Sequence, residues 1–153
     1  HQVHKGGLLE VVERALRDAR LEASLLEIEI TESTLISDAP EVVETLSGLR
    51  SLGVRIALDD FGTGYSSLAY LMQLSVTTVK IDRAFMAQIP EEGRAGRIVT
   101  AIIAMARALG LTLTAEGIET TAQHQFLLDA GCDLGQGFGF ARPQDAETIK
   151  QYL

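Results

Sequence analysis

Asp59 and Asp60 follow directly on the apolar run Ile56-Ala57-Leu58, and Phe61-Gly62-Thr63-Gly64 comes next. Placing ionised carboxylates beside apolar neighbours is costly unless a cation compensates them. The same design recurs along the chain. Leu25-Leu26-Glu27-Ile28-Glu29-Ile30 carries Glu29, with Glu32 just beyond; Thr77 to Asp82 carries Lys80 and Asp82; the run 111–116 ends in Glu116, with Glu119 just beyond; the run 134–138 carries Gln136. An oxygen-rich carboxylate set suits Mg²⁺, Mn²⁺ or Ca²⁺ better than zinc. His1, His4 and His124 have no ligand spacing and read as surface residues. A carboxylate-rich pocket with one lysine fits hydrolysis of a phosphodiester, with two cations holding the ester oxygens and activating water. The spacing leaves the substrate open.

Individual residues carry competing readings. Glu29 is a ligand candidate, because alternation sets it with Glu27 and opposite Ile28 and Ile30; its other reading is an inward charge paired with Lys80. Lys80 either orients a water or phosphate oxygen, or only neutralises carboxylates. Asp82 is a site acid, a partner of Arg83, or a helix cap. Glu116 is a candidate base. Glu32 reads equally as a helix-start acid. Glu119 caps the following helix or braces the Gly-rich loop.

The elements that position these residues alternate. Helical patterns cover 7–20 (Leu8, Leu9, Val12, Ala15, Leu16 and Ala19 on one side), 40–52, 66–73, 92–109 (Ile98, Val99, Ile102, Ala106 and Leu109 at core spacing), 121–130 and a last stretch from about 145. Strand patterns cover 25–30, 54–59, 77–82, 111–116 and 134–138. Leu52-Gly53, Leu109-Gly110 and Ala130-Gly131 each end a helix and feed a strand, the usual αβ joint. About five βα units imply a parallel sheet with helices outside. In such folds, sites are built at the carboxyl ends of the strands.

Bulk properties agree with one globular domain over 1–153. Hydrophobic residues make up 46% and charged residues 22%, enough for a core. A net charge of −8, with no Lys/Arg-rich run, argues against a nucleic-acid polymer as partner. No apolar run approaches a membrane span. Cys132 is the only cysteine and reads as a small core residue.

Several long motifs in order resemble the EAL-domain family of cyclic di-GMP phosphodiesterases. They are Glu29-Ile30-Thr31-Glu32-Ser33, Asp59-Asp60-Phe61-Gly62-Thr63-Gly64-Tyr65-Ser66-Ser67-Leu68, Val79-Lys80-Ile81-Asp82-Arg83, Ala115-Glu116-Gly117-Ile118-Glu119-Thr120, Gly135-Gln136-Gly137-Phe138 and Phe140-Ala141-Arg142-Pro143. The resemblance implies an α/β fold, a TIM-type (β/α) barrel present in part, and hydrolysis of cyclic di-GMP to linear pGpG with Mg²⁺ or Mn²⁺, two ions in all, with Ca²⁺ inhibitory. It implies Glu29, Asp59 and Asp60 as metal ligands. Glu116 is implied as general base or second-metal ligand, and Lys80 and Asp82 as neighbours of the metals and their water. Glu32 and Glu119 would support the Gly-rich loop of Gly62 and Gly64. Gln136 would contact water or substrate, and Arg142 and Pro143 would lie near the guanine rim.

The Glu-Ala-Leu signature and the Asn ligand of the next strand are absent from this sequence. A full barrel takes about 250 residues, which leaves about five βα units of eight here. The expectations are therefore weak turnover by this stretch alone and association as a homodimer or swapped oligomer to cover open edges. The alternative is a non-catalytic cyclic di-GMP receptor or interaction module. The resemblance also implies a cytoplasmic segment, with upstream sensor or GGDEF domains and membrane tethering possible in the parent.

Overall fold

The computed structural model describes residues 7–31, 40–62, 71, 75–89 and 93–152. Its centre is a five-stranded sheet, parallel throughout and laid out in chain order: β1 (Glu27–Thr31), β2 (Arg55–Phe61), β3 (Thr78–Ile81), β4 (Thr112–Glu116) and β5 (Leu134–Gln136). The helices are α1 (Leu8–Ala19), α2 (Pro40–Ser51), α3 (Arg83–Met86), α4 (Arg94–Ala108), α5 (Thr121–Ala130) and α6 (Ala146–Ile149). The βα alternation is thus as expected. Among the described residues the sheet does not close, since β1 and β5 each pair with one neighbour.

Register explains how one sheet serves both core and site. Ile28 pairs with Ile56, Ile30 with Leu58, Leu58 with Val79 and Val79 with Leu113. These residues form an apolar face that packs on Leu46, Leu49, Met86, Val99 and Ile102. Each large side chain fully buried there contributes about 1.5–3 kcal/mol. Strand alternation sends their neighbours Glu27, Glu29, Asp59, Thr78, Lys80 and Glu116 to the opposite face. Near the amino ends of the strands, Thr78 Oγ1 donates to Glu27 Oε2 at 2.7 Å. At the carboxyl ends lie the acids of the candidate site.

The three expected joints are present: Gly53, Gly110 and Gly131 have φ of 96°, 69° and 77°, a left-handed region that costs glycine little.

The structure corrects several details. Residues 23–25 form a 3-10 turn, so β1 starts at Glu27. β5 stops at Gln136. On α1, Ala15 and Ala19 are exposed, and the buried contact is Val12 flanked by Leu8, Leu9 and Leu16. On α4, Ile98 and Leu109 are exposed, while Ala95, Val99, Ile102, Ile103 and Ala106 face the sheet. That true stripe follows i, i+4, i+7, i+8 and i+11 from Ala95, which leaves Ile98 a residue off its edge. His124 is half-buried rather than a plain surface residue, with its ring edge-on to Phe140 at 5.2 Å. Cys132 is partly buried against the core, as expected. The expected helix at 66–73 lies outside the described residues except for Leu71, which is buried.

Candidate active site at the strand ends

Lys80 stands at the centre. Its side chain is 7% exposed, and its ammonium lies 2.6 Å from Glu29 Oε1, 2.6 Å from Glu116 Oε1 and 3.5 Å from Asp59 Oδ1. One residue from each of β1, β2 and β4 thus meets the lysine of β3. Burial alone would lower the Lys80 pKa. Hydrogen bonds to Glu116 and Glu29, with the charges of Glu116 and Asp59, outweigh it, so the pKa is raised and the amine stays protonated. As a fixed cation, Lys80 cannot act as a base at neutral pH.

The adjacent aspartates need a break in strand geometry, because alternation alone would send them to opposite faces. The β2–β3 register shifts between Leu58 and Phe61, and Asp60 adopts φ 57°. This bulge re-aims the strand end, and aspartate tolerates the left-handed conformation better than most residues. Asp59 Oδ1 accepts a hydrogen bond from the Asp60 N–H at 3.0 Å. Loss of hydration raises the Asp60 pKa, and so do Asp59, Asp82 and Glu116 around it. Asp60 therefore sits in a negative field that a cation would relieve.

The loops behind the acids are tightly joined. Asp82 caps α3, its Oδ1 accepting from Ala84 N at 2.7 Å. Glu119 does not cap α5; Thr120 does, in a capping box with Gln123. The Gln123 role was missed, although the Thr-x-x-Gln spacing ahead of an apolar helix was its signal. A Cβ on Gly62 would meet the Phe85 ring at 2.9 Å, and one on Gly117 would collide with Arg83. Gln136 pairs with Glu116 in the sheet and accepts from Ile118 N through its backbone carbonyl. Arg142 and Pro143 lie on the exposed segment after β5, where the Arg142 guanidinium sits 4.8 Å from the Phe138 ring centroid. Glu32 and Gly64 lie outside the described residues.

Among the described residues, no group of three Asp, Glu, His or Cys side chains is arranged to hold a metal ion. The lysine ammonium occupies the space between them. The donors remain all-oxygen carboxylates, a chemistry that fits a hard divalent cation.

The family model of the EAL domain matches residues 1–143. This chain belongs to the EAL domain family. This EAL domain is 44% identical over 149 residues to the cyclic di-GMP phosphodiesterase NbdA of Pseudomonas aeruginosa, covering 97% of this chain and 19% of that protein. Among solved structures, the PaMucR phosphodiesterase in complex with c-di-GMP matches with TM-score 0.91 at 44% identity, covering 97% of this chain and 60% of that one. The calcium/cy-diGMP and manganese/cy-diGMP complexes of Klebsiella pneumoniae BlrP1 match with TM-score 0.85 at 33% identity, covering 92% of this chain and 36% of theirs. This EAL domain sequence spans about a fifth of the length of NbdA and MucR.

Proposed function

We propose that this chain is the C-terminal part of one EAL domain that hydrolyses cyclic di-GMP to linear pGpG. The observation that carries the reading is the convergence of Glu29, Asp59 and Glu116 on the Lys80 ammonium at the carboxyl ends of neighbouring strands.

Glu29, Asp59 and Asp60 would hold Mg²⁺ or Mn²⁺, with Asp82 beside them and Glu116 as base or ligand of a second ion. A divalent cation bound there supplies Lewis acidity toward the bridging phosphate and makes water a stronger nucleophile. Glu116 takes the proton of the attacking water. Water oxygen bonds to phosphorus, one P–O ester bond breaks, and the departing ribose oxygen takes up a proton. Lys80 holds Glu116 in place and keeps positive charge beside the anionic phosphate. Gln136, next to Glu116 on β5, contacts water or substrate, and Arg142 and Pro143 border the base. Glu32 and Glu119 would support the Gly-rich loop of Gly62 and Gly64.

The Glu-Ala-Leu and Asn ligands that the family resemblance implies are absent from residues 1–153, so turnover by this stretch alone is weak. The exposed Leu134 on edge strand β5, with Phe138 and Phe140 after it, supports pairing with a second copy or with more of the same domain. This segment works in the cytoplasm.

The test is release of linear dinucleotide from cyclic di-GMP by the full-length protein with Mn²⁺ or Mg²⁺. Metal-dependent release that Glu116→Gln abolishes supports the reading. Tight binding of cyclic di-GMP without release overturns it in favour of a receptor.

A further inference from the structure

We propose that Gln123 is a positioning residue for the reaction: its buried amide ties the loop that follows Glu116 to the helix that follows Lys80 and Asp82, and so holds Glu116 against Lys80. The inference rests on the hydrolase reading above and adds a residue to it.

The geometry is specific. Gln123 is 7% exposed. Its Oε1 accepts from the backbone N–H of both Glu119 and Thr120, at 2.8 and 2.9 Å. Its Nε2 donates to the carbonyl of Met86 at 2.8 Å. A capping box needs only the bond back to the N-cap residue. Gln123 makes that bond, satisfies a second loop amide, and spends its donor on another element. The bond to Met86 is buried and the two to the loop amides are partly buried, so losing the first strands the Met86 carbonyl and losing the others frees the loop to move.

The two elements so joined carry the reacting groups. Glu116 ends β4, and only Gly117 and Ile118 separate it from the clamped Glu119 N–H. Met86 ends α3, which Asp82 caps directly after β3. Beside the clamp, Gly117 packs so closely on Arg83 that no larger residue fits without a shift. Bridging the loops in this way fixes the separation of Glu116 and Lys80, now 2.6 Å. A catalytic group displaced by about 1 Å loses on the order of a hundredfold in rate.

The test measures kcat, KM for cyclic di-GMP and the pH profile of the full-length protein with Mn²⁺, for wild type, Gln123→Leu, Gln123→Glu and Thr120→Ala. Thr120→Ala removes the cap hydroxyl of the same helix but keeps the backbone N–H that Gln123 accepts from. The proposal predicts a kcat loss of at least about tenfold in Gln123→Leu with KM changed less than about threefold, and a shifted pH profile. It predicts near-wild-type kcat in Thr120→Ala despite a lowered melting temperature. Should Gln123→Leu fail to fold, Gln123→Glu decides, because it keeps an acceptor for Glu119 N and Thr120 N but sets a carboxylate oxygen against the Met86 carbonyl in place of the donor; a kcat loss there supports the clamp and an unchanged kcat overturns it. Equal kcat losses in Thr120→Ala and Gln123→Leu also overturn it, as does an unchanged kcat in Gln123→Leu. Wild-type protein without turnover overturns the hydrolase reading and the clamp with it, whereas active wild type with an indifferent Gln123 overturns the clamp alone.

Discussion

The Lys80 ammonium and Glu116 Oε1 lie 2.6 Å apart across neighbouring parallel strands. Register sets Lys80 opposite Thr114, so Glu116 reaches back from two residues further along β4. Glu29 reaches the same nitrogen from the other side, across β2. The lysine thus stands in for positive charge that the acids need whether or not a metal is bound.

Removing that charge destabilises the metal-free protein. Breaking a fully buried ion pair costs about 3–5 kcal/mol. Here the Glu29 side chain is 51% exposed and Glu116 21%, so water repairs part of the loss. Lys80→Met is expected to cost roughly 2 kcal/mol in EDTA, by thermal or urea denaturation. Mn²⁺ narrows the gap, since a cation then faces the same acids. Equal stability of wild type and Lys80→Met in EDTA contradicts this.

Asp60→Asn acts in the opposite direction. The folded-state pKa of Asp60 is raised, first by lost hydration and then by Asp59, Asp82 and Glu116. The folded state therefore holds the proton more tightly than the unfolded chain. Its relative stability is full below the unfolded pKa and is lost as pH rises through the folded pKa. Asparagine cannot ionise and tolerates φ 57° at least as well. Metal-free Asp60→Asn is expected to be more stable than wild type at pH 7, by up to about 1 kcal/mol for charges that water screens. The gain fades as pH falls through the folded-state pKa and is gone below about pH 4, near the unfolded Asp value. Denaturation from pH 3 to 8 in EDTA checks this, and a gain that grows on acidification contradicts it.

Two glycines near β5 separate a rigid clash from a soft one. A Cβ on Gly137 would run into the backbone of Ile118, whereas one on Gly135 would meet side chains, the Ile118 Cδ1 at 2.6 Å and the Phe140 ring at 3.4 Å. Ile118 N also donates to Gln136 O, and Gly139 N to Ile118 O, so the backbone there cannot easily yield. Gly137→Ala is expected to cost about 2–3 kcal/mol and Gly135→Ala about 1 kcal/mol, read by denaturant midpoint. The reverse order contradicts the packing.

Much of this arrangement was legible in the residues. Apolar runs ending in Asp59, Lys80 and Glu116, and glycines after Leu52, Leu109 and Ala130, placed strands, joints and the shared rim, because each signal is local. What escaped was not local. The bulge that lets Asp59 and Asp60 share one end depends on the β2–β3 register, which no window of sequence contains. Ile98 and Leu109 fit a helical period yet are exposed, because the sheet meets α4 along the neighbouring stripe. Gln123 was readable as a cap, but its bond to Met86 joins residues 37 apart.

The central claim is that acids from separate strands converge to seat divalent cations, and Mn²⁺ titration of the full-length wild type against Asp59→Asn tests it most directly. Wild type is expected to gain about 2.7 kcal/mol when Mn²⁺ reaches a hundred times its dissociation constant. Asp59→Asn is expected to lose most of that gain at the same concentration. An identical Mn²⁺ response in the two proteins would contradict the account.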